Sequence, residues 1–508
     1  MVLYIVVVKH IFINYIQNKG GKKISYNVNT YIQKQVLTRP GMLFDDLSNN
    51  DKVFNKRTSY YYIIKYINDF LEGKNINRYL VLPGIRDTGK STILFQIYQY
   101  LLNEKNINQN NILYLSGDNL KQMCNSSIIE AVDSYLDIFH NVTLETLNQK
   151  VFLLIDESQY DKNWAITGKI IFDSSKNIFM IFTGSSALEL SYNADSARRL
   201  LRIPITPLTY YEHLILKYGY FKNNMSKSIF ELIFDGRVDQ NLQKNMFENY
   251  SKLKNFNINE WKNFLKFGGF PSYFYQTHHD LIKKLTDTIN RVITVDINNI
   301  GDLSSRSQDI AFQILYYFAL QNPGEISKES MSNTLDTTKP TLNKILDIFE
   351  KTQLIFHIDP FVSSAKRITK PKKYYFATSS LKNVLSTNIG GTILENEEAY
   401  MGKLLENFVA SNFFNLENDK IGLYKTYYDL SKKSKKGKTK KNVDFLVQRG
   451  IEPPIPIEVS YGKKDNNQIK KGISKYNSSH GIIISNTKST IEKEDNIIYL
   501  PPEVFAFI

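Results

Sequence analysis

Gly84-Ile85-Arg86-Asp87-Thr88-Gly89-Lys90-Ser91 constrains this chain more than any other stretch. An apolar run, Tyr79 to Leu82, leads into it, and a helical pattern, Thr92 to Leu102, leads out. The two glycines let a backbone curl until its N–H groups converge on the β- and γ-phosphates of a nucleotide. Lys90 adds a positive charge there, and the Ser91 hydroxyl suits Mg²⁺. A helix starting at the loop aims its positive end at the same anion. The expected binding set is therefore Gly84, Ile85, Arg86, Asp87, Thr88, Gly89, Lys90, Ser91 and Thr92, with ATP and Mg²⁺ as ligands.

A second strand should supply the acids of such a site. Val151-Phe152-Leu153-Leu154-Ile155-Asp156-Glu157 fits, with five apolar residues ending in two carboxylates. Asp156 is expected to hold Mg²⁺, and Glu157 to accept a proton from, or orient, the water that attacks the γ-phosphate. The next apolar run, Ile178 to Phe182, ends in Thr183-Gly184-Ser185-Ser186, small hydroxyls placed to sense that phosphate, Ser185 among them. Further on, Arg198 and Arg199 follow Asp195-Ser196-Ala197. One of the pair is expected to neutralise charge on the transferred phosphoryl group, within the chain or across a subunit boundary. A solvated basic helix end is the plain alternative.

These blocks resemble a family of archaeal and bacterial AAA-type ATP-binding proteins that join an ATPase, a winged helix and a nuclease-like C-terminal domain. The resemblance lies in order and wording: Gly84 to Thr92, Asp156-Glu157-Ser158-Gln159, Asp161 with Trp164, Thr183 to Leu188, Asp195 to Arg199 and Pro207-Leu208. Gly268-Gly269-Phe270-Pro271 and Asp296 resemble the helical lid segment that follows. It implies a P-loop ATPase of α/β class with a parallel sheet and helical lid, then a winged helix, then a restriction-endonuclease-like α/β domain.

Length and composition agree. A chain of 508 residues should hold about three domains. With 42% hydrophobic and 22% charged residues it reads as globular. Cys124 is the only cysteine, which excludes an internal disulfide and points to a reducing, cytoplasmic setting. His278 and His279 are adjacent and point apart on a helix, so they do not pair on a metal. The opening run Val2 to Val8 is too short to cross a bilayer, so no membrane anchor is expected. Sixty-four basic against 50 acidic residues leave +14. That balance favours a polyanionic partner, although seven of the lysines fall within Lys432 to Lys441, which reads equally as a solvated insertion.

Along the chain, residues 1–50 read as an irregular lead-in broken by Arg39-Pro40-Gly41, 51–208 as the ATPase and 209–300 as the lid. In residues 301–390, helices over Gln308 to Gln321 and Lys328 to Leu335, and a third opened by Pro340, suggest a winged helix. Leu342, Ile345, Leu346 and Phe349 form its buried stripe. Thr338, Lys339, Thr341, Asn343 and Lys344 then face outward, and Lys366, Arg367, Lys370, Lys372 and Lys373 lie where a wing meets phosphates. Protein docking is the competing use.

In residues 398–508, Glu406, Asp444 and Glu458 resemble the metal-holding acids of a PD-D/E-x-K nuclease core, and Gln468 its helix glutamine. Ser460 stands where that family's lysine is expected, with Lys463 and Lys464 shortly after. The sequence thus favours a nuclease-like scaffold over cleavage. The leading expectation is a Mg²⁺-dependent ATPase, able to form homo-oligomers, that moves its attached domains on DNA or a protein. A slowly hydrolysing nucleotide-gated switch and an ATP-regulated nuclease are the alternatives.

Overall fold

The computed structural model describes residues 27–49, 52–74, 77–185, 198–219, 225–257, 259–296, 305–321, 328–390, 396–419, 423–430, 442–462 and 465–508. Ser186 to Leu188, Asp195 to Ala197, Pro323-Gly324, Lys432 to Lys441, Lys463, Lys464 and the Val2 to Val8 run lie outside the described residues, as does the side chain of Asp296.

Five parallel strands organise the first half: β1 Tyr79–Pro83, β2 Ile112–Ser116, β3 Val151–Asp156, β4 Ile178–Gly184 and β5 Leu201–Arg202. Their order in the sheet is β2-β3-β4-β1-β5. Alternation explains why these runs are apolar throughout. Val81, Leu113, Leu153, Met180 and Phe182 share one core; Leu82, Ile112, Leu154, Phe179 and Ile181 share the core on the opposite face. Both faces are covered by helices, so neither set meets water. Helices α2 Thr58–Leu71 and α3 Lys90–Gln99 contribute to the second face and α4 Ile128–His140 and α5 Trp164–Ser174 to the first, while α1 Val28–Leu47 spans the edge, giving Tyr31, Ile32 and Val36 to the first core and Leu43 to the second.

Helix α1 departs from the irregular lead-in expected over residues 1–50. Pro40 sits inside it, a substitution that ordinarily costs about 3 kcal/mol of helix stability. Burial offsets that cost: Tyr31, Ile32, Val36, Leu43 and Leu47 are all nearly inaccessible, and the helix packs along the edge strand β2. Arg39 lies over the rings of Phe95 and Tyr114, 4.1 and 4.5 Å from their centroids, and pairs with Asp46 at 2.5 Å.

The segment expected as one lid divides in two. Helices α6 Tyr210–Tyr218, α7 Ser226–Asp235, α8 Leu242–Ser251 and α9 Glu260–Phe267 share a core with the C-terminal half of the chain. Helix α10 His278–Arg291 shares another with α11 Ser305–Leu320, α12 Lys328–Thr334, α13 Lys339–Lys351 and α14 Ser379–Asn388. Gly268 and Gly269 lie at the junction. A Cβ on Gly268 would come within 2.1 Å of the Phe264 ring, and one on Gly269 within 2.5 Å of the Thr378 hydroxyl.

The expected division between residues 301–390 and 398–508 is bridged by one eight-stranded sheet. Strands β6 Ile355–Pro360 and β7 Lys373–Phe376 follow the three helices, and β6 pairs in parallel with β8 Tyr424–Tyr428 through Asp359 opposite Tyr427. The sheet continues through β9 Phe445–Arg449, β10 Ile455–Ser460 and β11 Gly481–Ser485, and then β13 Ile497–Leu500 and the edge strand β12 Glu492–Glu494. Helix α15 Glu397–Asp419 packs on one face and α16 Asn467–Tyr476 on the other.

Candidate nucleotide-binding site

The loop after β1 curls at two left-handed positions, Asp87 with φ 65° and Gly89 with φ 90°. Gly89 is the residue on which α3 begins, so the free N–H groups of that helix open onto the loop. Gly84 is crowded from outside, since a Cβ there would lie 2.3 Å from the Ile205 carbonyl oxygen. Lys90 is 5% exposed and its ammonium donates to the carbonyls of Gly84 at 2.8 Å and Ile85 at 2.9 Å. Thr88 closes the loop by donating to the Ile85 carbonyl at 2.8 Å.

A buried arginine from outside the loop holds it in place. Arg57, just ahead of α2, donates to the Thr88 carbonyl at 2.7 Å and to the Thr206 carbonyl at 3.0 Å. It also meets both carboxylate oxygens of Glu212, at 3.1 and 2.7 Å. Burial works against charge on Glu212, but Arg57 and the hydroxyl of Thr58 outweigh it and hold the carboxyl below its ordinary value.

Register places the acids at the same end of the sheet. Asp156 ends β3 opposite Ser116, while Pro83 pairs with Gly184 on β4. Asp156 accepts hydrogen bonds from Thr183 and, at 3.2 Å, from Tyr114. Glu157 takes φ 50°, which turns its side chain away from the strand, and accepts from Gln159. Burial raises the Glu157 carboxyl above its usual value; Lys90 and Arg86 pull it down and Asp156 pushes it up.

Arg57, Lys90 and Glu157 border a cavity of about 540 Å³, within the range of small-molecule sites, whereas Asp156, Gly84 and Thr88 lie behind its lining. Arg86, Asp87, Gly89, Lys90, Ser91, Thr92 and Glu157 line one end. Phe54, Asn55, Leu216, Pro271, Phe274 and Tyr275 line another part, with the Phe54 and Tyr275 rings 4.8 Å apart. Helix α10 supplies Lys284, Asp287, Thr288 and Arg291. The arrangement offers cations suited to phosphate, a hydroxyl and carboxylates suited to a divalent ion, and an aromatic wall formed by Phe54, Phe274 and Tyr275.

Other expected residues fall elsewhere. Ile85 turns into the core of the helical unit, and Ser185 is buried at the end of β4, its hydroxyl without a hydrogen bond among the described residues. Arg198 is exposed, and Arg199 pairs with Asp173 on α5 at 2.6 Å; neither lines the cavity.

Among the described residues no group of three or more His, Cys, Asp or Glu is gathered so as to hold a metal ion, Glu406, Asp444 and Glu458 included. The Glu406 carboxylate accepts from Tyr375 at 3.0 Å, Asp444 accepts from the Val459 N–H at 2.8 Å, and Glu458 is 1% exposed within β10. Gln468 donates to the Asn442 carbonyl at 3.0 Å. Burial first and Asp444 second raise the Glu406 carboxyl to about 7, against Lys373 and the Tyr375 hydroxyl. Among the described residues no helix is long and apolar enough to cross a membrane.

Sequence reading missed Arg57, Phe54, Tyr114, Lys284 and Arg291. The Lys56-Arg57-Thr58 entry to α2 was the one local sign of the first; the others carry no motif.

The family described as AAA domain matches residues 76–214, and two families described as domains of unknown function match 258–391 and 401–504. An uncharacterized protein of Methanocaldococcus jannaschii is 32% identical over 490 residues, covering 96% of this chain and 95% of that protein. An uncharacterized protein of Haemophilus influenzae is 24% identical over 320 residues, 61% of this chain and 70% of that protein. Among solved structures, the Aeropyrum pernix ORC2 protein in ADPNP and ADP complexes aligns with TM-score 0.34 and 11% identity, over 70% of this chain and 98% of that one.

Proposed function

Because the chain belongs to the family of the Methanocaldococcus jannaschii protein and carries an AAA domain, we propose that it is a Mg²⁺-dependent ATPase whose cycle moves the helical unit. The observation that carries this reading is the single cavity edge shared by Lys90, Ser91 and Glu157 at the N-terminus of α3. Lys90 and the loop N–H groups bind the phosphates; Arg86, Lys284 and Arg291 add positive charge. Ser91 and Asp156 would hold Mg²⁺, which neutralises phosphate charge when bound. Glu157, its carboxyl raised by burial, takes the proton of the attacking water. Phosphate release should stop in Lys90→Ala through lost binding. In Glu157→Gln it should fall about 100-fold or more with nucleotide still bound. Full turnover in the Glu157 variant would remove that residue from the chemistry.

Slow turnover is a second reading, favoured by the hydrogen bond from Gln159 to the Glu157 carboxylate, which occupies one of the oxygens that would take the proton. In that case the protein acts as a nucleotide-gated switch, and Gln159→Ala hydrolyses faster than wild type.

The unit after α10 acts as a winged helix on DNA, with α13 toward the groove. Thr338, Asn343 and Lys344 are exposed on it while Leu342, Ile345, Leu346 and Phe349 are buried; Lys366 and Lys370 are exposed beyond β6. The last sheet serves as a nuclease-like scaffold without cleavage, its acids engaged by Tyr375 and the Val459 N–H. Arg198 acts across a subunit boundary in a homo-oligomer. Activity restored by mixing Arg198→Ala with Lys90→Ala protein supports that role; additive loss opposes it.

A further inference from the structure

We infer that the phosphate-binding loop is also the joint through which nucleotide state reaches the helical unit, by way of Ile85 and Asp87. This rests on the nucleotide reading of the cavity. Ile85 is 1% exposed and its side chain joins neither core of the five-stranded sheet. It belongs instead to the core of the helical unit, with Leu281, Leu285 and Ile289 of α10. Two residues on, Asp87 occupies the left-handed region, where aspartate is tolerated better than most side chains and where strained residues gather at functional sites. Its carboxylate receives the Thr288 hydroxyl proton at 2.5 Å and lies 3.6 Å from the Lys284 ammonium. Thr288 is 4% exposed and has one hydroxyl proton, for which the Lys284 carbonyl, at 3.0 Å, is the competing acceptor.

The loop therefore holds α10 by an apolar side chain and a carboxylate, while Arg86, Gly89, Lys90 and Ser91 line the cavity. Lys284 lines the cavity as well as pairing with Asp87, so a polyphosphate and the Asp87 carboxylate compete for one ammonium. A triphosphate competes more strongly than a diphosphate, because it carries more charge at that end. A ligand shifts a conformation only by such differential contacts. Helix α10 passes the change onward through its shared core with Leu342 and Ile345 of α13, and through Thr286, whose hydroxyl accepts from Asn388 of α14 at 2.8 Å.

Hydrogen exchange of the peptide covering residues 278–291, measured on the full chain with saturating Mg-ATPγS and with saturating Mg-ADP, tests the joint; calorimetry verifies occupancy. Asp87→Asn keeps a side chain that tolerates the left-handed turn but removes the charge facing Lys284. Thr288→Val removes the donor. Wild type should show at least a 3-fold difference in exchange between the two nucleotides, and each filled variant should lose it. A filled variant that keeps the difference overturns the inference, as does failure of both variants to fill. Wild type that binds both nucleotides without a difference in α10 sinks this inference alone; wild type that binds neither sinks the nucleotide reading with it.

Discussion

Asp156 is positioned by two hydroxyls, from Thr183 and Tyr114, and the second of these depends on a stack that begins in α1. Tyr114 donates to Asp156 at 3.2 Å on one side and lies under the Arg39 guanidinium on the other. Partners of this kind orient a ligand group without touching the ion, and their loss typically weakens metal affinity 10-fold or more. Tyr114→Phe should raise the Mg²⁺ concentration for half-maximal hydrolysis by about 10-fold, with the nucleotide dissociation constant at saturating Mg²⁺ little changed. An unchanged Mg²⁺ titration would show that Thr183 alone fixes the carboxylate. The residues proposed to bind phosphate stand out in the sequence because loop, lysine and hydroxyl are neighbours along the chain. Tyr114, Arg57 and Arg291 do not, because they meet the site only after strands and helices separated by many residues have packed.

Arg57 and Glu212 join the entry to α2, the loop end at Thr88 and the start of α6, with both side chains 6% exposed. Removing one partner of a buried pair leaves an uncompensated charge and costs about 3–5 kcal/mol, whereas removing both costs less. Arg57→Ala should therefore lower the denaturant midpoint sharply, and Arg57→Met with Glu212→Met should recover part of the loss. Equal damage in both variants would mean that the backbone acceptors of Arg57 dominate. Strands β1 to β4 were legible because burial on both faces leaves no polar alternation, and α13 because its buried stripe repeats at i, i+3, i+4 and i+7. Helix α1 was not, since Pro40-Gly41 reads locally as a break and only packing against β2 overrides it. The division of the lid was hidden too: periodicity tells which face of α6 to α9 is apolar, but not which sheet that face meets.

At the scale of the whole molecule, the eight-stranded sheet fuses the segment after α13 to the C-terminal region, so a rearrangement of α10 to α14 is felt at β6 and β8. Glu406 sits inside that fused body, facing Asp444, Lys373, Tyr375 and Lys382. Its carboxyl rises from 4.5 to about 7, so the folded chain keeps a proton that the unfolded chain has released. Stability should then fall as pH rises from about 4.5 to 7, by on the order of 2–3 kcal/mol, and level off above. Urea midpoints of wild type should follow that slope while Glu406→Gln stays flat; parallel slopes would contradict the assignment. If α13 meets DNA, Lys344→Ala and Lys366→Ala should each reduce the salt dependence of binding by about one phosphate contact.

The most direct test of the account is calorimetric titration of Mg-ATP into the full chain and into its Lys90→Ala variant. One nucleotide per chain bound by wild type, with the heat abolished by the substitution, is the predicted result. No heat in correctly folded wild type, or equal binding in the two proteins, would contradict the claim that the cavity beside Lys90 is a nucleotide site.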